Sequence, residues 1–562
     1  MERTFAAPGP GPWELETTHF QRPLSRFAQQ AFTRGFPRGF AEGTERYGLL
    51  LSHLEPRTVH GFLYQQPIAV AAPEGAMGPP PGPILFVLAR VHPAIRRRVA
   101  TAKKAFEQRL WREDLRRWDE EEKPRAIAKH RALLEVDPTT LDDAALAEHL
   151  RACHAHLEDM VTLHHRFTVA CTVATGDYLA HAMDWTGKSA GELLGALRGS
   201  SPVSNGVAAD ELHRLATAIR ATPDAAHVLE GSGPAGSILS ALEARDDAVG
   251  EHARAYLDVV RHRSVGYDVA DRSAGEMPDL LLRAIRAIVE AQGREDGAVE
   301  ADRRAAALRE SVPHAHRATF DELLAEARRV NRLRDERGVF ADGWAVGIAR
   351  RALLAAGDRL AARGLLGHRE HVVDLDPEEL SALLVGRSGP TPTEIQGRVR
   401  WRQTKTVADA PAFLNAPPAP PPSVDLLPPP ARRAQRAINA ALTNLFDVSQ
   451  RESTKTVIRG ITVSEGVYEG RARLVADASD FEKIEQGDVL VTRSTSPYFN
   501  VVLPLLGALV TDRGGQLSHA AIVAREYGIP GVVGTKDATR LIPDGARVRV
   551  DGKTGEVTIL GT

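Results

Sequence analysis

Two patterns of hydrophobic and polar residues divide the chain. Up to about residue 410, apolar residues recur mostly at every third or fourth position, which is the spacing of one buried helix face. The clearest run follows the capping residues at 137–143 and includes Leu146, Leu150, Leu157 and Val161. Runs of the same kind cover residues 209–220, 237–262, 278–292, 299–310, 319–333, 343–363 and 377–384. Strand-like runs are scarce here, so the pattern predicts a large, mostly α-helical domain with a small irregular part around residues 12–90.

The last hundred residues follow the second pattern. Short segments rich in valine and isoleucine alternate with glycine and aspartate turns, which is typical of strands. These segments are residues 457–463, 472–475, 489–493, 508–511, 531–533, 547–550 and 556–560. Only one or two helical segments interleave with them. The pattern therefore predicts a multidomain chain that ends in a compact α/β domain, from roughly residue 460 to 560.

Two proline clusters interrupt these patterns. Residues 73–83 contain five prolines and residues 411–430 contain nine. Proline fixes φ and cannot donate to a helix or a sheet, so the second cluster indicates either an extended, semi-rigid spacer or a disordered connection.

Composition and charge narrow the class of protein. The chain has 562 residues, of which 43% are apolar and 26% charged, so several domains with proper cores are expected. A net charge of −2 provides no overall basic field for binding nucleic acid or an anionic membrane. The longest apolar stretch, residues 84–89, is far shorter than the roughly 20 residues that span a bilayer. With no signal peptide and only Cys153 and Cys171, the sequence predicts a soluble, cytoplasmic protein.

The segment 511–530 contains the sharpest local signals. A buried strand is expected to end at Thr511, and Gly514-Gly515 permits a tight turn with positive φ. Ser518 suits the N-cap of a helix, and Gly528 suits a left-handed C-cap just before a proline. These signals predict a strand, a glycine loop and a short helix.

His519 then lies in the first turn of that helix. A phosphoryl group there would meet backbone N–H groups and the positive end of the helix dipole. A neutral imidazole nitrogen is also a nucleophile at pH 7. The residues alone leave two interpretations open: a histidine that carries a phosphoryl group, or one that merely caps or packs.

The same segment resembles the phosphohistidine signature of the swivelling domain in the phosphoenolpyruvate-utilising enzymes. The resemblance rests on its Gly-Gly, Ser-His, Ala-Ile-Val-Ala-Arg-Glu and Gly-Ile-Pro elements. Residues 466–473 and 550–552 also resemble the opening strand and the closing hairpin of that domain, and residues 487–492 with Ser496-Pro497 resemble the loop that faces the histidine there. The Gln516-Leu517 pair departs from the dikinases and is closer to the rifampin phosphotransferase branch.

This resemblance implies that His519 is the carrier of a phosphoryl group. The support of the phosphoryl loop would come from Thr511, Gly514, Gly515, Ser518 and Arg525. The swivelling domain would move on its linker between two active sites. The predicted domains are an irregular N-terminal part of a substrate domain (1–90), a helical substrate-binding domain (91–410), a proline-rich linker with a connecting helix (411–456) and the swivelling phosphohistidine domain (457–562).

The helical part resembles the substrate-binding domain of rifampin phosphotransferase more loosely, at residues 13, 19–24, 61–64, 256–268 and 332–337. Arg334 and Arg337 offer guanidinium groups suited to a phosphoryl group in transit, or they belong to a solvated helix. His262 could act as a base for an acceptor hydroxyl and Arg263 as a phosphate clamp, or both could be structural.

Other candidate motifs favour structural interpretations. Residues 231–236 fit G-x-G-x-x-G, but no strand precedes them and they contain a proline, so a loop between helices is expected. His154, His156, His164 and His165 are expected to line the core or a groove, and no protein metal site is predicted.

The resembled enzymes need a module that charges the histidine. Only 43 residues follow His519, no Walker loop is present and no strand-rich N-terminal region suggests an ATP-grasp fold. We therefore expect an ATP-grasp protein, of the phosphoenolpyruvate/pyruvate-binding type, to act in trans. It would bind ATP and Mg²⁺, with no cofactor held by this chain alone. Such a split resembles phenylphosphate synthase.

The expected reaction moves the β-phosphoryl group of ATP, with AMP and phosphate as products, to a hydroxyl of a small organic acceptor in the helical domain. Two alternatives remain open. The chain could be a non-catalytic ligand-binding or regulatory protein with a phosphorylatable histidine. It could also belong to a dehydratase in which phosphorylation primes elimination.

Overall fold

A computed structural model describes residues 3–73, 75–201, 208–290, 297–420, 422–446 and 452–561. The α-helices, in chain order, are α1 (Arg26–Arg46), α2 (Gly82–Val91), α3 (Pro93–Glu107), α4 (Leu110–Arg117), α5 (Lys123–Leu134), α6 (Asp143–Arg166), α7 (Thr168–Thr186), α8 (Ala190–Leu194), α9 (Ala209–Ala221), α10 (Pro223–Glu230), α11 (Ala235–Glu243), α12 (Ala248–Val260), α13 (Pro278–Glu290), α14 (Gly297–Ser311), α15 (Arg317–Asn331), α16 (Leu333–Val339), α17 (Asp342–Ala362), α18 (Pro377–Leu384), α19 (Pro392–Thr404), α20 (Pro429–Phe446), α21 (His519–Tyr527) and α22 (Ala538–Leu541).

The β-strands are β1 (Trp13–Leu15), β2 (Leu51–Val59), β3 (Phe62–Ala69), β4 (Phe413–Leu414), β5 (Val457–Arg459), β6 (Ile461–Ser464), β7 (Val467–Val475), β8 (Asp488–Thr492), β9 (Leu506–Thr511), β10 (Gly531–Val533), β11 (Arg547–Asp551) and β12 (Glu556–Gly561). Contacts group the chain into two compact units. Unit 1 contains residues 1–174, 267–270 and 340–438, and unit 2 contains residues 175–266, 271–339 and 439–562. The predicted large helical part followed by a sheet domain is confirmed.

The core of unit 1 is built on the close packing of α1 against α6. The side chain of Asp142 caps α6 by accepting a hydrogen bond from the N–H of Ala145 at 2.8 Å. Gly35 and Gly39 of α1 face the backbone of α6 so closely that a Cβ on either would lie within 2.6 Å of a carbonyl oxygen. The absence of a side chain at these positions therefore sets the short distance between the two helices.

The N-terminal region is more regular than expected. Residues 12–90 were predicted to be irregular, but they contain the long helix α1 and three strands of a four-stranded sheet with order β2-β3-β1-β4. The prediction was wrong because β2 and β3 form a hairpin in which apolar and polar residues do not alternate cleanly. The hydrophobic core of this four-stranded sheet contains Trp13, Phe62 and Tyr64.

The second proline cluster is not a free spacer over its whole length. Strand β4, inside this cluster, pairs antiparallel with β1. The hydroxyl of Tyr64 donates to the carbonyl of Pro411 at 2.8 Å, and the amide of Asn415 donates to the carbonyl of Gly11 at 2.7 Å. The start of the predicted linker is therefore part of unit 1. Residues 421 and 447–451 of that linker lie outside the described residues.

In unit 2, short helices pack around a shared hydrophobic core. Residues 231–234 connect α10 to α11, which confirms the prediction of a loop between helices, although residues 235–236 of the predicted loop already belong to α11. Part of the predicted helix 278–292 lies outside the described residues, since 291–296 are not described. The core also includes apolar side chains from the C-terminal domain, here residues 457–561, such as Val502, Leu509 and Val523.

The C-terminal domain is an eight-stranded mixed sheet with the order β5-β12-β11-β7-β8-β9-β10-β6. Its central strands β7, β8, β9 and β10 are parallel neighbours, and the outer pairs are antiparallel. Every predicted strand segment of this domain corresponds to an observed strand. Because parallel strands end at the same edge of a sheet, the carboxyl ends of β8 and β9 bring their loops together.

The limits of the predicted domains differ from those of the compact units. The boundaries at 90, 410 and 456 do not coincide with limits of the units, and α7 and α20 each run through a boundary between units. The division into four domains with these bounds stays a prediction. Within the described residues, no helix combines the length and the apolar character that a bilayer crossing requires.

Candidate functional site

The helix that carries His519 forms where the sequence predicts it. Helix α21 begins at His519, and the side chain of Ser518 accepts a hydrogen bond from the N–H of Ala521 at 3.3 Å. Gly528 ends the helix with a φ of 63°. His519 is therefore held at the positive end of a helix of nine residues.

The glycine loop before the helix contains the positive φ that the Gly514-Gly515 pair was predicted to permit. Gly514 has a φ of 107°, and a Cβ there would lie 2.7 Å from the Cβ of Ser518. Gly515 does not have a positive φ. The N–H groups of Gly515 and Leu517 donate to the carbonyls of Leu445 and Asn444, at 3.0 and 2.7 Å. The C-terminal end of α20 therefore accepts two hydrogen bonds from the loop.

The imidazole of His519 is held on both sides. Its Nδ1 lies 3.0 Å from Oγ1 of Thr495, and its Nε2 lies 3.0 Å from Oδ1 of Asn500. His519 and Asn500 are buried, with 7% and 5% of their surface exposed. Both partners flank the predicted Ser496-Pro497 loop, but neither was predicted as a site residue. The only sequence signal was that this loop should face the histidine.

Burial controls the charge of His519. The pKa of His519 is lowered to about 4, chiefly by burial; Asp335 opposes this shift and Arg334 adds to it. At neutral pH the ring is therefore uncharged, and one of its nitrogens has a lone pair. A neutral imidazole at a helix N-terminus can act as a nucleophile toward an electrophilic phosphorus.

Arg525 braces the glycine loop. Its guanidinium donates to the backbone carbonyl of Gln516 at 2.7 Å and also to the side-chain oxygen of Gln516. The pKa of Arg525 is lowered to about 9, chiefly by burial; the charges of Arg304 and Arg334 add to this shift and Glu526 opposes it. Arg304 and Arg334 therefore contribute positive potential at Arg525.

Thr511 and Asp512 fix the end of β9 below the loop. The hydroxyl of buried Thr511 donates to the carbonyl of Arg513 at 2.8 Å. The carboxylate of Asp512 accepts from the N–H of Thr539 at 3.0 Å and from its hydroxyl. Thr511 therefore supports the turn into the loop through the backbone.

Arg334 and Asp335 come from α16, which lies against the 3-10 turn Pro497–Val501 that contains Asn500. Both side chains act electrostatically on His519. Arg337 lies further along the same helix and is half-buried. The structure thus brings Arg334 to the histidine, and a contact of Arg337 with a phosphoryl group stays a prediction.

His262 and Arg263 lie just after the end of α12. The guanidinium of Arg263 is buried and donates to the carbonyl of Val259. Burial lowers the pKa of Arg263 to about 9, while Glu211 and Asp258 oppose the shift. These contacts belong to the helical part, and a role for either residue in phosphoryl transfer stays a prediction.

The other predicted histidines pack inside unit 1. Nε2 of His156 lies 2.9 Å from Nδ1 of His130, and Nδ1 of His164 lies 2.9 Å from the carboxylate of Asp342. The rings of His154 and His165 pack edge-on against Phe27 and Phe36, respectively. In the described part of the chain, no three His, Cys, Asp or Glu residues form a group that could hold a metal ion.

Two family models match the chain. Residues 165–353 match the fourth domain of rifampicin phosphotransferase, and residues 484–555 match the mobile domain of PEP-utilising enzymes. The C-terminal domain thus matches the mobile domain of PEP-utilising enzymes over residues 484–555, and we call residues 457–561 the mobile domain. Its matched region includes Thr495, Asn500 and His519.

Curated relatives resemble both parts. A rifampicin phosphotransferase of Streptomyces sp. is 32% identical over 372 residues, which is 62% of this chain and 39% of that protein. The uncharacterized phosphotransferase YvkC of Bacillus subtilis (strain 168) is 31% identical over 248 residues, 43% of this chain and 27% of the relative. A probable phosphoenolpyruvate synthase of Pyrococcus abyssi (strain GE5 / Orsay) is 44% identical over 115 residues, 20% of this chain and 14% of the relative. The chain thus matches less than half the length of each of these three relatives.

Within unit 2 the mobile domain contacts the helical part through Glu526. Both carboxylate oxygens of Glu526 accept a hydrogen bond from the N–H of Gly199 at 3.0 Å. The pKa of Glu526 is raised to about 7, chiefly by burial; Asp335 adds to this shift, whereas the Gly199 N–H, Arg198 and Arg525 oppose it. A carboxylate is thus kept in an environment that disfavours its charge.

We expect Glu526→Gln to stabilise the protein at pH 8 and to have little effect at pH 4.5. Between about 4.5 and 7 the folded state binds a proton that the unfolded state has released, so the wild-type free energy of unfolding falls as pH rises through this range. The variant removes this loss, which amounts to up to about 3 kcal/mol. Urea unfolding at both pH values measures the difference. Glu310→Gln, at a carboxylate with 70% side-chain exposure, is the control, and an equal effect of Glu526→Gln at both pH values would contradict the argument.

Proposed function

We propose that this chain is the carrier and acceptor part of an ATP-dependent phosphotransferase. His519 takes a phosphoryl group from ATP through an ATP-grasp protein that acts in trans and holds ATP and Mg²⁺. The mobile domain then delivers the group to a hydroxyl of a small organic molecule in the helical part. The observation that carries this proposal is the buried, neutral imidazole of His519 at the start of α21.

The first half-reaction charges the histidine. A nitrogen of His519 attacks the β-phosphorus of ATP and AMP leaves. A water molecule then attacks the terminal phosphorus, inorganic phosphate leaves, and one phosphoryl group stays on the ring. Covalent transfer divides one difficult step into two easier ones. The relatives named phosphoenolpyruvate synthase and rifampicin phosphotransferase support this class of chemistry.

The second half-reaction delivers the group. The acceptor hydroxyl attacks phosphorus, the bond from phosphorus to the imidazole nitrogen breaks, and the hydroxyl proton passes to water. Charge on the equatorial oxygens needs fixed positive groups nearby. Arg334 acts electrostatically on both His519 and Arg525, which supports a role for these two guanidinium groups in holding the phosphoryl group during transfer.

The test is direct labelling of the full chain. Incubation with an ATP-grasp protein and ATP labelled at the β-phosphate should give acid-labile, base-stable label on the chain, with release of AMP and phosphate. Adding acceptors such as phenol or small primary alcohols should move the label to a phosphate ester. A dehydrated product would favour the elimination alternative. Ligand binding without labelling by any donor would overturn the carrier proposal.

Reaching a donor protein requires the mobile domain to leave its present contacts. The loop of His519 is held by the two hydrogen bonds to the end of α20 and by packing of Leu445 near Leu517. Helix α20 thus restrains the same loop that must approach ATP.

We expect Leu445→Ser to speed up charging of His519. Removing the apolar contact weakens the restraint by about 1–2 kcal/mol, which corresponds to a roughly 5- to 30-fold faster charging rate where release limits the reaction. Leu442→Ser on the same helix is the matched control, because Leu442 is 42% exposed. Initial rates of labelling measure the effect. Equal rates for the two variants would show that this restraint does not limit charging.

A further inference from the structure

The neutral imidazole of His519 has two hydrogen-bonding partners of different kinds. In a neutral ring, one nitrogen carries a proton and the other accepts. The amide oxygen Oδ1 of Asn500, 3.0 Å from Nε2, can only accept a hydrogen bond. With the amide oxygen facing the ring, this arrangement suits a proton on Nε2, and the hydroxyl of Thr495, 3.0 Å from Nδ1, then donates to Nδ1.

Asn500 is held firmly in this position. It lies in the 3-10 turn Pro497–Val501, directly after Phe499, whose ring packs against Phe481 with a centroid distance of 4.8 Å. Val502 follows the turn and is fully buried. The backbone of Asn500 is thereby fixed, and the last side-chain torsion of an asparagine has two broad positions that exchange its oxygen and its nitrogen.

In this arrangement Nε2, the ring nitrogen farther from the backbone, has no lone pair to offer. An attack on phosphorus from Nε2 needs the other tautomer, in which the proton lies on Nδ1. Asn500 and Thr495 suit that tautomer equally well. A half-turn of the amide presents its Nδ2–H to Nε2, and the hydroxyl of Thr495 can accept from Nδ1–H as readily as it donates.

We propose that Asn500 is a positioning residue that allows His519 to change tautomer: its oxygen holds the proton on Nε2 in the docked state, and its turned amide favours the reactive lone pair on Nε2. This inference rests on the proposed carrier function. The change is a tautomerisation with no net proton uptake, since Nε2 loses a proton to water and Nδ1 gains one. After the phosphoryl group has moved to Nε2, the Nδ1–H group donates a hydrogen bond to the hydroxyl oxygen of Thr495.

The variant Asn500→Asp tests this idea because a carboxylate has nearly the same shape but can only accept. It should lock the proton on Nε2 and slow the charging of His519 by at least about 100-fold. Asn500→Thr offers a hydroxyl that both donates and accepts, so it should retain charging within about 10-fold of wild type. The rates are measured by labelling of the full chain with the ATP-grasp protein and ATP labelled at the β-phosphate.

The tautomer itself is read from ¹⁵N spectra of the full chain with labelled histidine rings. The chain has 20 histidines, so the signals of His519 are assigned by their absence in His519→Gln. Wild type should show the proton on Nε2 and Asn500→Asp should keep it there. A wild-type ring protonated on Nδ1 would overturn the inference, as would wild-type charging rates in Asn500→Asp.

These results separate the inference from the function on which it rests. Failure of wild type to accept label from any donor argues against the carrier function, while the spectra still report the tautomer. Normal charging of wild type and of Asn500→Asp leaves the carrier function intact and removes the role of Asn500. Unchanged thermal unfolding of each variant shows that the measured rates belong to folded protein.

Discussion

Replacing His519 with glutamine is expected to abolish phosphoryl labelling of the chain. The glutamine amide can still make hydrogen bonds in the space between Thr495 and Asn500, so the local packing is largely kept. It has no nucleophilic nitrogen lone pair, however, and covalent capture of the phosphoryl group needs one. We expect labelling to fall by more than about 1000-fold, since the covalent step itself is removed. Acid-labile label on the intact chain is the measurement.

A matched control is available on α9. His213 is exposed, and its Nδ1 lies 2.7 Å from the carbonyl of Ala209, so it already makes a local contact unrelated to the loop. His213→Gln should label as wild type does. Label that persists in His519→Gln would assign the carrier role to another residue. Loss of label in both variants would indicate a general effect of histidine replacement on folding.

The helix that carries His519 could be predicted because its signals are local. Ser518, Gly528 and the following proline each act within a few residues, through capping and φ preferences. The strands of the mobile domain were predictable for a similar reason, since each is a short buried run between turn residues. The buried parallel strand β8, all of whose residues are buried, is an example.

The partners of the histidine were not predictable from sequence. Thr495 and Asn500 precede His519 by 24 and 19 residues, and their contact depends on the parallel alignment of β8 and β9. No local spacing indicates that a threonine and an asparagine will face one ring. The approach of α16 to the same ring depends on tertiary packing of a separate segment, which no periodicity encodes.

The sequence does contain a signal for the close approach of α1 to α6, but it is a repeat of glycines and not of large apolar residues. Gly35, Gly39 and Gly43 repeat every four residues on α1, so they lie on one face. A prediction based on apolar residues treats glycine as neutral, although here its small size lets the helices pack closely. The prediction for the second proline cluster missed a strand for a different reason. Early residues of the cluster pair with β1 as an edge strand, where neighbouring prolines are tolerated.

The charges around His519 have opposing effects that suit a temporary carrier. Burial keeps the resting imidazole neutral, and of the two neighbouring charges Arg334 lowers the pKa of the ring whereas Asp335 raises it. Adding a phosphoryl group brings negative charge to the site, which Arg334 attracts and Asp335 repels. Binding the phosphorylated histidine too strongly would slow delivery of the phosphoryl group. The opposing charges of Arg334 and Asp335 therefore favour transfer of that group over its retention.

Replacing Arg334 with glutamine is therefore expected to have two effects of different kinds. The pKa of His519 should rise, because the positive charge of Arg334 disfavours the imidazolium. Delivery of the phosphoryl group should slow by about 10- to 100-fold, since a charge-assisted hydrogen bond is worth about 1.5–3 kcal/mol. Charging by the donor protein should change little, because α16 belongs to the helical part and not to the mobile domain.

Two measurements separate these effects. Titration of the ¹⁵N-labelled ring gives the pKa, and the rate at which labelled chain transfers its label to phenol or small primary alcohols gives delivery. Arg329→Gln is the control, because Arg329 is exposed on α15. Slower charging with unchanged delivery would place Arg334 on the donor side of the reaction. An unchanged pKa together with unchanged delivery would remove Arg334 from the site and leave the phosphoryl group to Arg525 and the helix N-terminus.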